Sequence, residues 1–198
     1  MKHKFSVTDG FLRRNAVLSE GMVIAPIVVC CDTLQKSLLL SLVFACITIL
    51  TVSISSFYPR RLVYAIRIIL YALTAAFLFI PIALLVEQLP FALTAYSSMA
   101  MYLSLLSVNS FIVLHSELYF YRLRRLVMLV ALVCHTAGFC LAACLTGCIR
   151  ELLAYGSIGG HVVDMPLLMQ GFSAPWAGFV VLGVLCALHR VIFPKRED

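Results

Sequence analysis

The sequence predicts an all-α integral membrane protein with six transmembrane helices, and three observations carry that expectation. Hydrophobic residues make up 63% of the 198 positions and charged residues only 12%, with a mean hydropathy of +1.04. A soluble domain is near half apolar and a quarter charged, so this chain has too little polar surface to coat a globule, and lipid must take its place. Several apolar runs reach the roughly 20 residues that a helix needs to cross the hydrocarbon. Basic residues also fall almost wholly on one side of a six-span thread.

The segments expected are 15–31, 36–57, 62–86, 91–114, 126–149 and 167–193, forming one transmembrane domain over residues 1–198. The start, "MKHKFSVTDGFLRRNAVLSE", is basic like a signal peptide. Glu20 interrupts its apolar core and no small-x-small cleavage site follows, so it is read as retained. The first segment holds Glu20 and, six residues later, Pro26. Proline lacks an amide hydrogen and frees the carbonyl four residues back, so the helix is expected to kink or end near Pro26. Broken helices at membrane depth need protein or water around the freed groups, and an acid beside a break is a layout used for ion or proton sites. A protonated or paired glutamate near the helix end is the alternative for Glu20.

"CDTLQK" separates segments one and two, and "FYPRR" separates two and three. Arg67 lies two turns into the third segment and is expected to snorkel back to the interface. After "EQLP", the fourth segment carries Asn109 within "LSLLSVNSFIVLH". An asparagine there either bonds across a helix interface or takes a direct part in coordination. "HSELYFYRLRR" leads to the fifth segment, where His135 is read as a neutral ring donating to a carbonyl. Cys140, Cys144 and Cys148 recur every fourth residue on one face. Thiolates so placed could bind a soft metal, but the adjacent Ala143 and Gly147 make the row a small-residue packing stripe. The last connection, "RELLAYGSIGGHVVDMP", is the longest, and its glycines and Pro166 make it partly non-helical.

In this threading Lys2, Lys4, Arg13, Arg14, Arg60, Arg61, Arg67, Arg122, Arg124, Arg125, Arg190, Lys195 and Arg196 share one side, against Lys36 and Arg150 on the other. Basic loops stay cytoplasmic, which places both termini inside and the chain in the inner (cytoplasmic) membrane. The net charge of +6 therefore needs no nucleic acid; contact with anionic lipid accounts for it. The eight cysteines lie at 30, 31, 46, 134, 140, 144, 148 and 186, nearly all inside apolar runs, where a free thiol acts as a small hydrophobe. Their spacings match no extracellular disulfide scaffold. Walker-type glycine loops, dinucleotide fingerprints, zinc spacings and hydrolase elbows are lacking.

Four patches carry a family resemblance. "NAVLSEGMVIAPIVV" is similar to "N-x-x-L-V-Q-L-L-G-L-C-P-L-L-A-V", and "LSLLSVNSFIVLHSELY" to "F-L-P-L-I-V-T-N-C-A-I-I-G-R-A-E-A-F". "CIRELLAYGSI" is similar to "L-R-E-L-L-G-x-G-T-L", and "WAGFVVLGVLCA" to "G-A-F-I-G-L-G-L-L-I-A". In this order the chain resembles the six-helix membrane subunits of the Rnf electron-transport complex and of the sodium-translocating NADH:quinone reductase, closest to the E-type member of the first and the D-type member of the second. The resemblance implies an inverted 3+3 repeat with broken half-helices in segments one and four. It also implies a homologous partner subunit of opposite orientation, other Rnf-type subunits, and electron transport coupled to Na⁺ or H⁺. Each of the paired subunits supplies two cysteines to a shared two-iron two-sulfur cluster, which needs thiolate ligands.

The resemblance places the cluster cysteines at Ala25, directly before Pro26, and at Ser110, directly after Asn109. Alanine has no donor atom, and a serine hydroxyl is a poor iron ligand at neutral pH. Cys30 and Cys31 lie five and six residues past Ala25, about 7.5–9 Å along a helix axis, which makes them poor rescue ligands. The expected function is thus a membrane subunit of an Rnf-type ion-translocating complex, not catalytic alone, lacking its own half of the cluster site, with Glu20 and Asn109 as candidates for the ion or proton path. The alternatives are a non-redox small-solute or ion transporter on the same scaffold and a purely structural subunit.

Overall fold

The computed structural model describes residues 10–13, 15–59, 61–89, 93–109, 111–118, 120–163 and 168–194. Helix dominates: α1 (Ile24–Cys30), α2 (Leu34–Ser55), α3 (Tyr64–Glu87), α4 (Leu93–Leu105), α5 (Ser116–Leu118), α6 (Arg125–Tyr155) and α7 (Pro175–Ile192). A hairpin of β1 (Ser157–Ile158) and β2 (His161–Val162) follows α6. α2 begins where the Thr33 hydroxyl accepts from the Lys36 amide at 3.4 Å, a helix N-cap. α6 ends at Gly156 with φ 61°, a left-handed C-terminal stop. α7 opens on Pro175 at its first turn, where the missing amide costs no intrahelical bond.

α2 lies at the centre and packs most extensively on α6, then on α3. Its membrane-length window is 56% buried against 11% for α3. α3 is therefore the edge helix, and its exposed Ile66, Ile69, Leu73, Phe77 and Leu84 suit hydrocarbon and not water. The core fills between α2, α4 and α6 with Leu40, Phe44, Ile47, Leu103, Leu106 and Phe139.

Five helices among the described residues are long and apolar enough to cross a membrane, with the stretch from Ala95 to Val113 counted as one. The first segment, expected as one of six spans and as broken near its proline, is not among the five. In the first segment the helix has only seven residues, preceded by a turn over 16–20. The turn closes as the Gly21 and Met22 amides bond back to the carbonyls of Val17 (3.0 Å) and Ala16 (2.8 Å), and Gly21 (φ 68°) and Val23 (φ 56°) are left-handed. An α-helix cannot run through such residues. The fifth segment runs to Tyr155 instead of 149, and the sixth starts at Pro175 instead of 167.

Candidate functional site

The first segment is moored by Asn15, which is wholly buried. Its Nδ2 donates to the Gly138 carbonyl in α6 at 2.7 Å and to the Phe11 carbonyl at 3.3 Å. Its Oδ1 accepts from the amides of Val17 (2.9 Å) and Leu18 (3.2 Å). One amide side chain so supplies the partners that an isolated turn leaves unmet in a medium without water. Glu20 is exposed at the end of this turn, and Ala25 is exposed in the first turn of α1. Pro26 is the third residue of α1, where an amide has no intrahelical partner anyway. It opens the half-helix, while the departure from helical backbone lies upstream at Gly21–Val23.

The far end of α1 is held by Arg150. This side chain is wholly buried, yet all its donors are engaged. Nη1 reaches the carbonyls of Val28 (2.7 Å) and Cys31 (2.9 Å), Nη2 those of Ser173 (2.9 Å) and Ala174 (3.1 Å), and Nε that of Phe172 (3.2 Å). The cation faces the unmet carbonyls at the C-terminus of α1, where the helix dipole favours positive charge. Glu151 does the converse for α2: its Oε2 accepts from the Leu34 amide at 2.6 Å, and its Oε1 accepts from the Ser157 hydroxyl at 3.2 Å and the Gly160 amide at 3.4 Å. α7 comes close enough only because Gly178 has no side chain; a Cβ there would lie 2.6 Å from the Val28 oxygen. The sequence placed both charges in a loop, and the signal that locates them in a helix is Gly156, the C-terminal stop five residues beyond Glu151.

Cys30 and Cys31 are buried beside this clamp, at the opposite end of α1 from Ala25. Among the described residues no group of three His, Cys, Asp or Glu side chains is placed to hold a metal ion. Cys140 Sγ lies 3.7 Å from the Ser41 carbonyl and Cys144 Sγ 4.0 Å from the Ser41 hydroxyl, which puts these two thiols in the α2–α6 packing contact.

The fourth segment is interrupted at Asn109, which is buried with an extended backbone (φ −91°, ψ 152°). A 3₁₀ turn over Leu106–Val108 precedes it and a π-helical turn over Phe111–His115 follows. The Asn109 Nδ2 donates to the Leu106 carbonyl at 2.7 Å and its Oδ1 accepts from the Ile112 amide at 2.8 Å, so the side chain bridges the gap. Ser110 lies outside the described residues. α1 packs against α4, which brings the two interrupted segments side by side. Behind them stands an aromatic cluster. Phe44 stacks on Phe139 at 3.7 Å between ring centroids and tilts toward Phe111 at 5.8 Å. His135 is buried against Phe111 and Phe120.

Sequence reasoning missed one charged pair. Arg67 is paired with Glu117: its Nε lies 3.0 Å from Glu117 Oε1 and its Nη2 donates to Oε2 at 3.0 Å. The Tyr71 hydroxyl donates to Glu117 Oε1 as well. The pair ties α3 to α5, just past the Asn109 interruption. Each charge is visible in the sequence, but their 50-residue separation hides the pairing. The phenol of Tyr121 stands beside them; burial raises its pKa well above the usual tyrosine range, against the opposing effect of the neighbouring Ser55 hydroxyl.

The apolar helical bundle, with five helices among the described residues long enough to cross a membrane, agrees with the comparison to known families. The family model of the Rnf-Nqr subunit membrane proteins matches residues 4–186. No curated protein gives a significant match. With nearly its whole length covered, the chain belongs to the Rnf-Nqr family of membrane subunits.

Proposed function

We propose that this chain is a membrane subunit of an Rnf-type ion-translocating electron-transport complex that does not itself ligate the complex's intramembrane iron–sulfur cluster. Ala25 carries the second half of that statement. It stands directly before Pro26 in the first turn of α1, where the family resemblance places a cysteine, and its methyl group offers no donor. The described residues do not fit the cluster: the thiols of Cys30 and Cys31 are buried at the other end of the half-helix, whose carbonyls Arg150 holds. Moving either thiol to the position of Ala25 requires breaking that clamp.

In this reading the scaffold keeps its mechanical parts. Asn15 and Asn109 hold the interrupted segments open at fixed geometry, as expected of an inverted 3+3 repeat. Glu20 and Asn109 are the candidates for handling the coupling cation or proton. Both termini lie in the cytoplasm and the chain pairs with a homologous subunit of opposite orientation. Affinity purification from native membranes in mild detergent tests this. Such a homologue and redox subunits should co-elute; a chain that elutes with neither removes the complex from the reading.

A second reading, a non-redox transporter on the same scaffold, is favoured by the half-buried Arg67–Glu117 pair, which electron transfer does not require. Intramembrane charge pairs often mark a transported ion or solute. Transport by the chain alone in vesicles would favour this second reading.

A further inference from the structure

The arginine-rich end of the bundle contains a cavity of about 240 Å³, lined by Ser55, Ser56, Tyr58, Arg67, Tyr71, Glu117 and Tyr121. Every one of these side chains carries a polar group. Ser55 on α2 and Ser116 on α5 are buried, with the Tyr121 phenol as their hydrogen-bonding neighbour. Deeper on α2, Thr51 and Thr48 are buried and their hydroxyls meet no partner. Positions 48, 51 and 55 recur at the three- and four-residue steps that put side chains on one helix face. From Ser55 to Thr48 the axis rises about 10 Å. A column of hydroxyls thus runs inward from the cavity wall. One turn beyond Thr48, Phe44 with Phe139 and Phe111 closes it with apolar rings at the level of the fourth segment's interruption.

Buried polar atoms in native structures are almost always hydrogen-bonded to protein or to ordered water. Two unmet hydroxyls in line with Ser55, which opens on a polar chamber, are in the wrong place for a dry helix contact. The chamber is roomy enough: at a liquid share of about 30 Å³ per molecule it holds about eight waters. We infer that the Ser55–Thr51–Thr48 face of α2 and the cavity around Arg67 and Glu117 form a water-filled inlet, open at the arginine-rich end and stopped by Phe44. It brings water and small hydrated ions from that face to the broken fourth segment. The Arg67–Glu117 pair stands at its wall as matched charges, so neither sign is favoured while the pair is intact. The inlet does not depend on the redox reading; a chain that carries no electrons would still have it.

The test is cysteine accessibility on the full chain in lipid nanodiscs, where both faces meet solvent. Ser55→Cys and Thr51→Cys are near-isosteric, and Leu50→Cys is the lipid-side control, since Leu50 is exposed on the outside of α2 at the depth of Thr51. Each is treated with water-soluble methanethiosulfonates bearing a cationic or an anionic group, and the peptide holding residue 50, 51 or 55 is read by mass spectrometry. Only a thiolate reacts, and thiols do not ionise in hydrocarbon, so S55C and T51C should react about tenfold or more faster than L50C. Arg67→Gln, which leaves Glu117 alone, should turn the S55C preference toward the cationic reagent; Glu117→Gln should turn it toward the anionic one. S55C and T51C reacting as slowly as L50C would overturn the inlet. A charge preference identical in all three backgrounds would remove the pair from its wall.

Discussion

Arg150 Nη1 lies 2.7 Å from the carbonyl oxygen of Val28, across 122 residues of sequence. This contact fixes the end of a half-helix too short to hold itself. An isolated helix of seven residues is far below the length that is stable alone. The geometry of α1 is therefore imposed from α6 and α7, through Arg150 and the close approach at Gly178.

Substituting Arg150 should be costly in a specific way. Lysine keeps the charge but has three donors on one nitrogen in place of a five-donor planar fork, so at least two of the five carbonyls lose their partner. At about 1–3 kcal/mol for each buried group left unmet, Arg150→Lys should lower stability by roughly 3 kcal/mol, and Arg150→Met by more. Thermal unfolding in detergent, followed by size-exclusion fluorescence, measures it. An R150K protein as stable as the wild type would mean that α1 is held by other contacts.

Asn15 and Asn109 do similar jobs over different distances. Asn15 reaches α6 through the Gly138 carbonyl, while the Asn109 bonds stay within its own segment. Each replacement by alanine removes a buried donor and a buried acceptor, worth about 2 kcal/mol together. Only Asn15→Ala should also loosen the N-terminal segment from α6, read as faster amide exchange over residues 16–22. Equal exchange in N15A and N109A would mean that the mooring to Gly138 contributes nothing.

Glu20→Gln should impair coupled cation or proton transport in vesicles holding the intact complex, with assembly and yield unchanged. The residue is exposed on this chain, at the end of the turn beside the left-handed Gly21. An unaltered transport rate takes Glu20 out of the ion path.

Phe44→Ala should open the inner stop of the inlet. The native Cys140, in contact with Ser41 one turn beyond Phe44, should then react several times faster with the cationic methanethiosulfonate than in the wild type. An unchanged Cys140 with a reactive S55C would place the barrier at rings other than Phe44.

Much of this architecture was legible in the sequence, for reasons that also mark where legibility stopped. Segments two, three and five appear as long apolar runs because α2, α3 and α6 need only length and hydropathy to declare themselves. The location of the first interruption was not readable. Pro26 is the conspicuous residue, yet the break sits at Gly21–Val23, where the left-handed Val23 is tolerated because Asn15 and the contact with Gly138 hold the turn before it. Arg150 and Glu151 looked like loop charges because their partners are backbone groups of α1 and α2, which no pattern near residue 150 reveals. Arg67 and Glu117 were each visible, but a pairing needs two segments in register. The hydroxyl column was hidden by its chemistry, since Thr48, Thr51 and Ser55 are mild residues in an apolar run and only the burial of the two threonines without partners makes them informative.

The central claim concerns ligands, so the direct measurement is of iron. The complex purified with this chain should be assayed for iron and acid-labile sulfide per complex, in the wild type and in a Cys30→Ser/Cys31→Ser variant of this subunit. The account predicts the same iron and sulfide content and the same visible absorption in both, because neither thiol holds a cluster. Loss of about two iron atoms per complex in the variant, with all subunits still assembled, would contradict it and return a ligand role to α1.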